Sequence, residues 1–570
     1  MKSSRPSFRP AAFAGLLVIL TAAANATTYY VDPATGSMSN PGTAASPWST
    51  LADVFTANKT FAAGDEILLR SGFHGAPIVK GHNTASVAIR PESTSAAPTV
   101  IKLIVRNGSH WNIAGLDISP ENASPAVYSG DLVGLEGTAH HITVRNCRLR
   151  STFQNPHTWA LADWSKARKG FAVSAPYTQL IENDLEVTSF SIDISKGATN
   201  SLVSRNRILH FSMDAIRGRG DDCVYEYNYA ANSYVSDDNH DDFFQSWSTD
   251  AEGTVGAGVV RNVTVRGNVF ISQTDTAQPL QKAPQGIGCF DGMFENWIIE
   301  NNVISSQTYH GIALYGAINC KITNNIAVEN AVRGSTTVKP WVRIYDHKDG
   351  TASTGNLIRN NISSASASMP TGAGVRDHNL TTTAYSTYFA NYAGFDFYPV
   401  PTSPAINTGE ATDAPSIDVL GNPRTAPYDV GAYEFQTEVI VDNTNPVDFE
   451  KVGSWTSSTA NAGYYGIDYL HDENTGKGSK TATFNGALGT GTYAVYLRWT
   501  AGTNRASNLP VTTHHAAGSN TATINQRLNG GVWWSLGTYT FQTHQLGKVV
   551  LSNTGTNGHV IADAVRFVRQ

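Results

Sequence analysis

Hydrophobic and polar positions alternate with a period of two along the middle of the chain, and a short motif containing asparagine recurs there. The repeated asparagines are Asn146, Asn183, Asn206, Asn228, Asn268, Asn302, Asn325 and Asn361. Their spacing reduces to a base period of 22 to 23 residues, with insertions in four of the seven intervals. So short a repeat with period-two alternation leaves too little room for a regular helix in each unit. The pattern therefore predicts a parallel β-helix, whose core is buried only by stacking one coil on the next.

The repeated asparagine predicts a tight bend in each coil. Asparagine tolerates left-handed backbone geometry, and its side chain can hydrogen-bond to its copies in the coils above and below. Longer loops are expected near residues 150–170, 231–260, 272–284 and 329–340. We expect function where these insertions and the outward side chains break the regular pattern.

Both ends of the repeat region have distinctive segments. The start of residues 27–110 contains TTYYVDPATG and SPWSTLADVF. It resembles the start of many secreted β-helix proteins, which implies an N-terminal cap and the first coils. Residues 403–435 resemble the segment that closes many bacterial secreted β-helices. We interpret them as a C-terminal cap, so that residues 27–436 form one β-helix unit.

The tail, residues 437–570, alternates short strands with glycine and asparagine turns. It resembles the golvesin C-terminal-like domain, which is also found appended to xanthan lyases, and this resemblance implies a β-sandwich. The predicted fold class is therefore all-β, a right-handed parallel β-helix followed by a C-terminal β-sandwich, with the handedness taken from family resemblance. The indole side chains of the tail are either platforms for sugar rings or, for most of them, part of the hydrophobic core. These are Trp455, Trp499, Trp533 and Trp534.

The first residues have the pattern of a removable signal peptide. Lys2, Arg5 and Arg9 precede an apolar stretch, and Ala24-Asn25-Ala26 has the small residues of a cleavage site. We therefore predict a signal peptide over residues 1–26 and a secreted or periplasmic product. No later segment reaches the roughly 18 to 20 apolar residues that a membrane span needs.

Composition limits the possible partners. The net charge of −6 and the pI near 6.2 provide no global basic field for nucleic acid, so a polyanionic substrate needs a local basic site. Four cysteines without CxxC spacing argue against a zinc site, and either disulfides or buried thiols remain open. We expect a monomer.

Three segments of successive coils align, namely SIDISK from Ser191, SMDAIR from Ser212 and HDDFFQ from His240. This register predicts two columns of polar side chains that run across the coils. One column contains Asp193, Asp214, Asp242, Gln285 and His310, and the other contains Lys196, Arg217 and Gln245. The predicted inward, apolar column consists of Ser195, Ile216, Phe244, Ile287 and Ile312. Lys196 and Arg217 would then point outward, one strand separation of about 4.8 Å apart. We expect a bend that leaves the aspartates at the rim, because carboxylates are costly to bury.

A lysine beside an arginine suits β-elimination from a uronic acid polymer. A cation must neutralise the substrate carboxylate as charge develops, a base must remove the C5 proton, and an acid must assist departure of the 4-oxygen. The segment from Ser195 to Asn228 resembles the lysine and arginine coils of chondroitinase B and its alginate lyase relatives. The resemblance implies that Lys196 is the base and Arg217 the acid or charge stabiliser. Serines at positions 189 and 191 stand where that family has acidic calcium ligands.

An acidic cluster lies close by in the sequence, and DDNHDDFFQ resembles the calcium-binding coil of a β-helix pectate lyase group. The negative charge of so many carboxylates needs compensation, either by Ca²⁺, by nearby arginines or by a bound proton. We therefore assign catalytic roles to Lys196, Arg217, His240 and Asp241. Substrate contacts are assigned to Arg219, Asp242, Gln245 and His310. The candidate Ca²⁺ ligands are Asp214, Asp237 and Asp238.

The preferred interpretation is a secreted polysaccharide lyase that cleaves an acidic, uronate-containing polysaccharide. A β-helix glycoside hydrolase with paired aspartates is the first alternative. Gly220-Asp221-Asp222-Cys223 is similar to the GDDC motif of polygalacturonases, although other elements of that family are missing. A non-catalytic adhesin or polysaccharide-binding protein is the second alternative, in which Lys196 and Arg217 are ordinary solvated charges.

Overall fold

The structure of the protein is a computed structural model that describes residues 26–334, 337–543 and 545–570. The predicted signal peptide, residues 1–26, lies outside the described residues except for its last position. None of the helices in the described ranges is both long enough and apolar enough to cross a membrane.

Residues 28–381 form a parallel β-helix of three sheets, which we name the first, second and third sheet in the order that each coil visits them. The first sheet consists of Val133–Glu136, Phe171–Val173, Ile192–Ile194, Ile216–Gly218, Asp242–Trp247, Gln285–Asp291, His310–Tyr315 and Trp341–Tyr345. The second consists of Thr28–Val31, Glu66–Leu69, Thr143–Arg145, Gln179–Ile181, Leu202–Ser204, Val224–Glu226, Thr264–Arg266, Ile298–Glu300, Lys321–Thr323, Asn356–Arg359 and Gly374–Asp377. The third consists of Gly72–Phe73, Pro98–Val100, Asp117–Ile118, Arg148–Arg150, Asp184–Thr188, Arg207–Phe211, Tyr229–Ser233, Val269–Ile271, Val303–Ser305, Ile326–Val328, Ile362–Ser363 and Leu380–Thr381.

Two long strands, Ile78–Pro91 and Leu103–Ala114, join the first and second sheets near the N-terminal end. The helix Leu51–Thr56 packs at this end, where Phe55 makes an edge contact with Trp111 at 5.4 Å between ring centroids. A small parallel sheet adds Val259–Arg261, Met293–Glu295 and Ala317–Ile318. The 3₁₀ turns are Pro120–Asn122, Pro156–Thr158, Leu161–Lys166, Tyr385–Thr387 and Tyr392–Gly394.

The predicted asparagine ladder is confirmed, with a correction to its geometry. Each ladder asparagine donates its side-chain Nδ2 to the Oδ1 of the next copy at 2.9 to 3.0 Å, from Asn183 through Asn379. The left-handed backbone belongs instead to the preceding residue, as at Glu182 and Asn301. Asn146 is such a preceding residue, and Cys147 takes the ladder position of its coil, so the register prediction for that motif was wrong by one.

The segment predicted to close the coil packs along its side. The outer face of the third sheet is apolar at its C-terminal coils, and the hairpin Phe389–Asn391 and Asp396–Pro399 together with residues 403–435 covers it. Val419, Val430 and Tyr433 are buried in this contact. The cover explains why these coils tolerate apolar side chains on both faces of one sheet.

The antiparallel sheets of the β-sandwich begin at Glu438, which confirms the predicted fold class. One sheet contains Glu438–Asp442, Ala564–Arg569, Gly491–Arg498 and Trp534–Phe541; the second contains Phe449–Val452, Thr481–Gly486, Gly547–Ser552, Leu509–His515 and Gly518–Ile524; the third contains Thr456–Ser458, Tyr469–His471 and Ile561–Ala562. Trp455 and Trp499 are buried core residues, whereas Trp533 is half-buried and Trp534 is exposed.

Candidate functional site

The outer face of the first sheet carries one continuous column of side chains. Backbone pairing aligns the six residues Asp193, Arg217, Gln245, Gly288, Ala313 and Arg343 on successive strands. The residues one position earlier on the last five strands, from Ile216 to Val342, are buried. Strand alternation therefore turns this column outward. Most of the predicted register is confirmed, including Arg217 beside Gln245 and the apolar column from Ile216 to Ile312.

The predicted position of Lys196 was wrong. Ile216 pairs with Ile192, so Arg217 lies beside Asp193. The coil that contains Lys196 is therefore shifted by three residues from the predicted register. Lys196 follows the end of its strand and is exposed. Its Nζ donates to the backbone carbonyls of Thr249 and Asp250 at 2.7 and 2.8 Å. The predicted pairing of a lysine and an arginine on neighbouring strands is therefore absent at this site.

Arg217 is held from below by a buried carboxylate. Its Nε donates to Asp214 Oδ2 at 2.5 Å, and its guanidinium carbon lies 3.6 Å from the ring centroid of Phe190. The Asp214 Oδ1 accepts a hydrogen bond from the backbone N–H of Asp242 at 2.8 Å. Within the described ranges this guanidinium hydrogen-bonds to the protein through Nε, which leaves its terminal nitrogens available to an anion.

His240 and Asp242 form a hydrogen-bonded pair, which the backbone N–H of Asp242 links through Asp214 to Arg217. The His240 Nδ1 lies 3.1 Å from Asp242 Oδ2, which also accepts a hydrogen bond from Gln245 Nε2 at 3.0 Å. The side chain of His240 is 52% exposed, whereas that of Asp242 is fully buried. The hydrogen bond to Asp242 raises the pKa of His240 above its ordinary value, against the effect of burial. Burial raises the pKa of Asp242 to about 7, although the hydrogen bond from His240 acts against this.

The aspartates are buried, which corrects the prediction that a bend leaves them at the rim. Asp214, Asp241 and Asp242 are each at most 1% exposed. Burial raises the pKa of Asp241 to about 8, and burial also raises that of Asp214 despite the charge of Arg217. Of the predicted sources of charge compensation, Arg217 lies against Asp214, and burial favours the protonated forms of these carboxyl groups.

The predicted Ca²⁺ ligands do not converge. Asp214 already uses both carboxylate oxygens, while Asp237 and Asp238 are exposed on the loop before the strand. Across residues 26–334, 337–543 and 545–570, no three Asp, Glu, His or Cys side chains are grouped so that they could hold a metal ion. Lys282 instead fixes this loop by donating to the carbonyls of Asp237 and Asn239. We derive no chemical step through Ca²⁺ from this arrangement.

His310 lies near this pair across an aromatic ring. The Phe290 ring contacts His310 at 4.8 Å and His240 at 6.1 Å between centroids. Burial lowers the pKa of His310 to about 4, so this imidazole is neutral at physiological pH. Gln285 occupies the position between Asp242 and His310 on the intervening strand, as predicted.

Arg219 belongs to an ion-pair group that adjoins Arg217, since the two guanidinium carbons lie over the same Trp247 ring, at 4.5 and 5.3 Å from its centroid. Its Nη2 donates to Asp193 Oδ1 at 2.8 Å, and Lys169 donates to Asp193 Oδ2 at 2.8 Å. Burial raises the pKa of Asp193, but these two cations outweigh it and hold the pKa below its ordinary value. Asp193 also lines a cavity of about 400 Å³ that extends along the first sheet past Gly134 and Ala172. A polymer lying on this face would pass from the cavity to Arg217.

The sequence signal for several residues of this face was incomplete. Arg343 belongs to the column of Arg217, yet it is four strands away and lies in a segment without any motif. Phe190 positions Arg217, but an aromatic residue at a strand entry is indistinguishable from core in a sequence. The apolar alternation of residues 310–315 and 341–345 could have placed Arg343 in this column.

The arrangement combines a cation for an anionic group, a half-exposed imidazole and a buried acid that orients it. With Nδ1 facing Asp242, the neutral imidazole of His240 presents Nε2 as a proton acceptor. Arg217 presents two nitrogens to a carboxylate on the same face. Together these groups can remove a proton next to a carboxylate while its developing charge is stabilised.

Comparison with known proteins finds a match for the tail. Residues 439–569 match the Golvesin C-terminal domain family. Xanthan lyase from Bacillus sp. (strain GL1) is 40% identical over 153 residues, which is 26% of this chain and 16% of the relative. The solved structure of Paenibacillus xanthan lyase is 44% identical over 25% of this chain and 14% of that chain, with a TM-score of 0.24. Pectate lyase Pel9A is 15% identical over 73% of this chain and 98% of its own, with a TM-score of 0.38. The chain thus matches only a small part of the length of the xanthan lyases.

Proposed function

We propose that this protein is a polysaccharide lyase that cleaves an acidic polysaccharide by β-elimination, with its site on the outer face of the first sheet. The observation that carries the proposal is Arg217, anchored through Nε to buried Asp214, which links it to the hydrogen-bonded pair of His240 and Asp242. The similarity of the tail to xanthan lyases supports a role in polysaccharide breakdown. The proposal includes export, because the polymer substrate is met outside the cell.

In this mechanism Arg217 binds the carboxylate of the uronate at the cleavage point and stabilises the charge that develops there. Neutral His240 removes the C5 proton through Nε2, and Asp242 holds the ring in the required tautomer. The electrons of the C5–H bond form the new double bond between C4 and C5, and the C4–O bond breaks. The leaving oxygen takes a proton from water or from the site, so one unsaturated and one ordinary chain end result.

The test is a screen of the purified protein on carboxylated polysaccharides and on the same polymers with their carboxyl groups reduced. We expect a new ultraviolet-absorbing unsaturated end from at least one carboxylated polymer and none from its reduced form. The absence of unsaturated ends from every uronate polymer would overturn the proposal.

Three variants distinguish the assignment of the base to His240 from the assignment to Lys196 that the sequence suggested. His240→Ala and Arg217→Ala should each lower kcat/KM by at least about 100-fold, because each removes a group that acts in the transition state. Lys196→Ala should retain most activity, because Lys196 is bound to loop carbonyls. The reverse outcome, with Lys196→Ala inactive and His240→Ala active, would assign the base to Lys196.

Glycoside hydrolysis is the second candidate, favoured by one observation. Burial keeps the pKa of neighbouring Asp241 and Asp242 at about 8 and about 7, so a protonated acid is present at neutral pH. A hydrolase would produce new reducing ends without ultraviolet absorbance in the same screen.

A further inference from the structure

The last strand of the first sheet carries an arginine that is fixed in place without a carboxylate partner. The Arg343 guanidinium carbon lies 3.5 Å from the ring centroid of Trp341, and its Nη1 donates to Tyr345 Oη at 2.7 Å. Other arginines of the coil, such as Arg150 and Arg266, have carboxylate partners at 2.6 and 2.7 Å. Within the described ranges no Asp or Glu lies within ion-pair distance of Arg343.

An exposed aromatic ring stacks on the same tryptophan that Arg343 contacts. Tyr309 stacks on Trp341 at 5.3 Å with 19° between the ring planes, and Tyr309 is 50% exposed. The Trp341 ring therefore contacts both Tyr309 and Arg343. The three side chains form a rigid group that presents an aromatic surface and a guanidinium edge.

This group is in register with the proposed catalytic site. Arg343 and Arg217 belong to the same outward column and are separated by four strand steps. At about 4.8 Å per step, the two arginines are about 19 Å apart along the coil axis. The intervening column positions are Gln245, Gly288 and Ala313, two of which have no side chain or only a methyl group.

We propose that Tyr309, Trp341 and Arg343 form a second binding subsite for a carboxylated sugar of the same polysaccharide chain that passes Arg217. Arg343 donates to the sugar carboxylate, and the Tyr309 ring packs against the apolar face of a sugar ring. Simultaneous contact with both arginines requires a chain that spans about 19 Å, so the subsite selects long chains over short fragments. The ligand class rests on the proposed function, but the binding site stands on its own geometry.

The first experiment measures binding without turnover. Affinity electrophoresis of wild type, Arg343→Gln and Tyr309→Ala in gels with a carboxylated or a carboxyl-reduced polysaccharide reports binding directly. We expect Arg343→Gln to weaken binding to the carboxylated polymer about tenfold and to leave binding to the reduced polymer unchanged. Tyr309→Ala should weaken binding to both polymers. Equal binding by wild type and both variants would overturn the subsite.

The second experiment uses a series of chain lengths. Arg343→Gln should raise KM for long chains several-fold, with kcat and the cleavage of the shortest fragments unchanged. An equal rise of KM for every chain length would contradict a distant subsite. Arg148→Gln is the matched control, because Arg148 is an exposed arginine on the third sheet, away from the outer face of the first sheet, and it should match wild type throughout. A wild type that binds these polymers without cleaving them would overturn the lyase proposal and leave the subsite supported.

Discussion

At the scale of single residues, the site depends on carboxyl groups that the fold buries. Asp214 and Asp242 lie next to each other in the hydrogen-bond chain, and one cation, Arg217, compensates only part of their charge. A buried carboxylate without enough compensation binds a proton. The pH dependence of the protein should therefore differ from that of a chain with surface carboxylates.

The pH profile of activity should depend on Asp242. The hydrogen bond to Asp242 raises the pKa of His240, so the neutral form needed as base appears only above that raised pKa. Asp242→Asn removes the negative partner and should shift the acidic limb of kcat/KM to lower pH while lowering the maximum about tenfold or more. Rates of formation of the unsaturated product from pH 5 to pH 9 measure both effects. An acidic limb at the same pH in both proteins would contradict a role of His240 as the base.

The pH dependence of stability should reveal Asp241. Its pKa is about 8 in the folded protein against an ordinary value of 3.8, so the folded state holds a proton that the unfolded state releases. The resulting stabilisation is complete below about pH 4 and is lost as the pH rises towards 8. Asp241→Asn should therefore gain stability relative to wild type between pH 5 and pH 8, as measured by urea unfolding. A difference between the two proteins that stays constant over this range would contradict the buried, protonated acid.

At the scale of elements, the repeat itself was readable from the sequence, and the register of one coil was not. The apolar positions at Ile216, Phe244, Ile287 and Ile312 fixed their coils because burial allows one choice at each. For the preceding coil, the similar patterns of polar residues in SIDISK and SMDAIR led to the alignment of Lys196 with Arg217. The burial of Ile192 and Ile194 determines the register of that coil. Burial places no such constraint on the polar residues that follow the end of the strand. The stacking of Tyr309 on Trp341 was not predictable, because it joins residues from two different coils that lie far apart in the chain.

The asparagine ladder should contribute strongly to the stability of the coil. Asn268 donates to Asn302 Oδ1 and to the carbonyl of Tyr225 at 2.9 Å, and it accepts hydrogen bonds from the backbone and side chain of Asn228. Asn268→Ala leaves these buried groups unpaired and should cost about 3 kcal/mol or more, since each lost partner costs about 1 to 3 kcal/mol. Thermal or urea unfolding measures the loss.

Asn200→Gly is the control for the ladder variant. Asn200 is an exposed asparagine with left-handed backbone, and glycine adopts that backbone without strain. We expect the stability of this variant to stay within about 0.5 kcal/mol of wild type. Equal losses from both variants would contradict a specific stabilising role of the ladder hydrogen bonds.

At the scale of the whole molecule, the β-sandwich is packed against the segment that covers the third sheet. Gly489 of the sandwich lies against the ring of Tyr398, and a Cβ atom at Gly489 would lie 2.2 Å from ring atoms. The backbone N–H of Gln436 donates to Tyr398 Oη at 2.8 Å, and Arg569 lies 5.3 Å from the Tyr398 ring centroid. Tyr398 thus connects the cover, the link between the domains and the sandwich. Loss of this contact should affect both domains.

Gly489→Leu should cause the β-helix and the β-sandwich to unfold at different temperatures. The added side chain displaces the Tyr398 ring, and overpacking of this kind costs about 1 to 3 kcal/mol. Because the cover of the third sheet loses its support, we expect the β-helix to melt at a lower temperature, as a calorimetric transition distinct from that of the sandwich. Limited proteolysis near residues 436–438 should also become faster. Gly197→Ala is the control, since a Cβ atom there meets only ordinary contacts. A calorimetric trace identical for wild type and Gly489→Leu would show that the domains fold without stabilising each other.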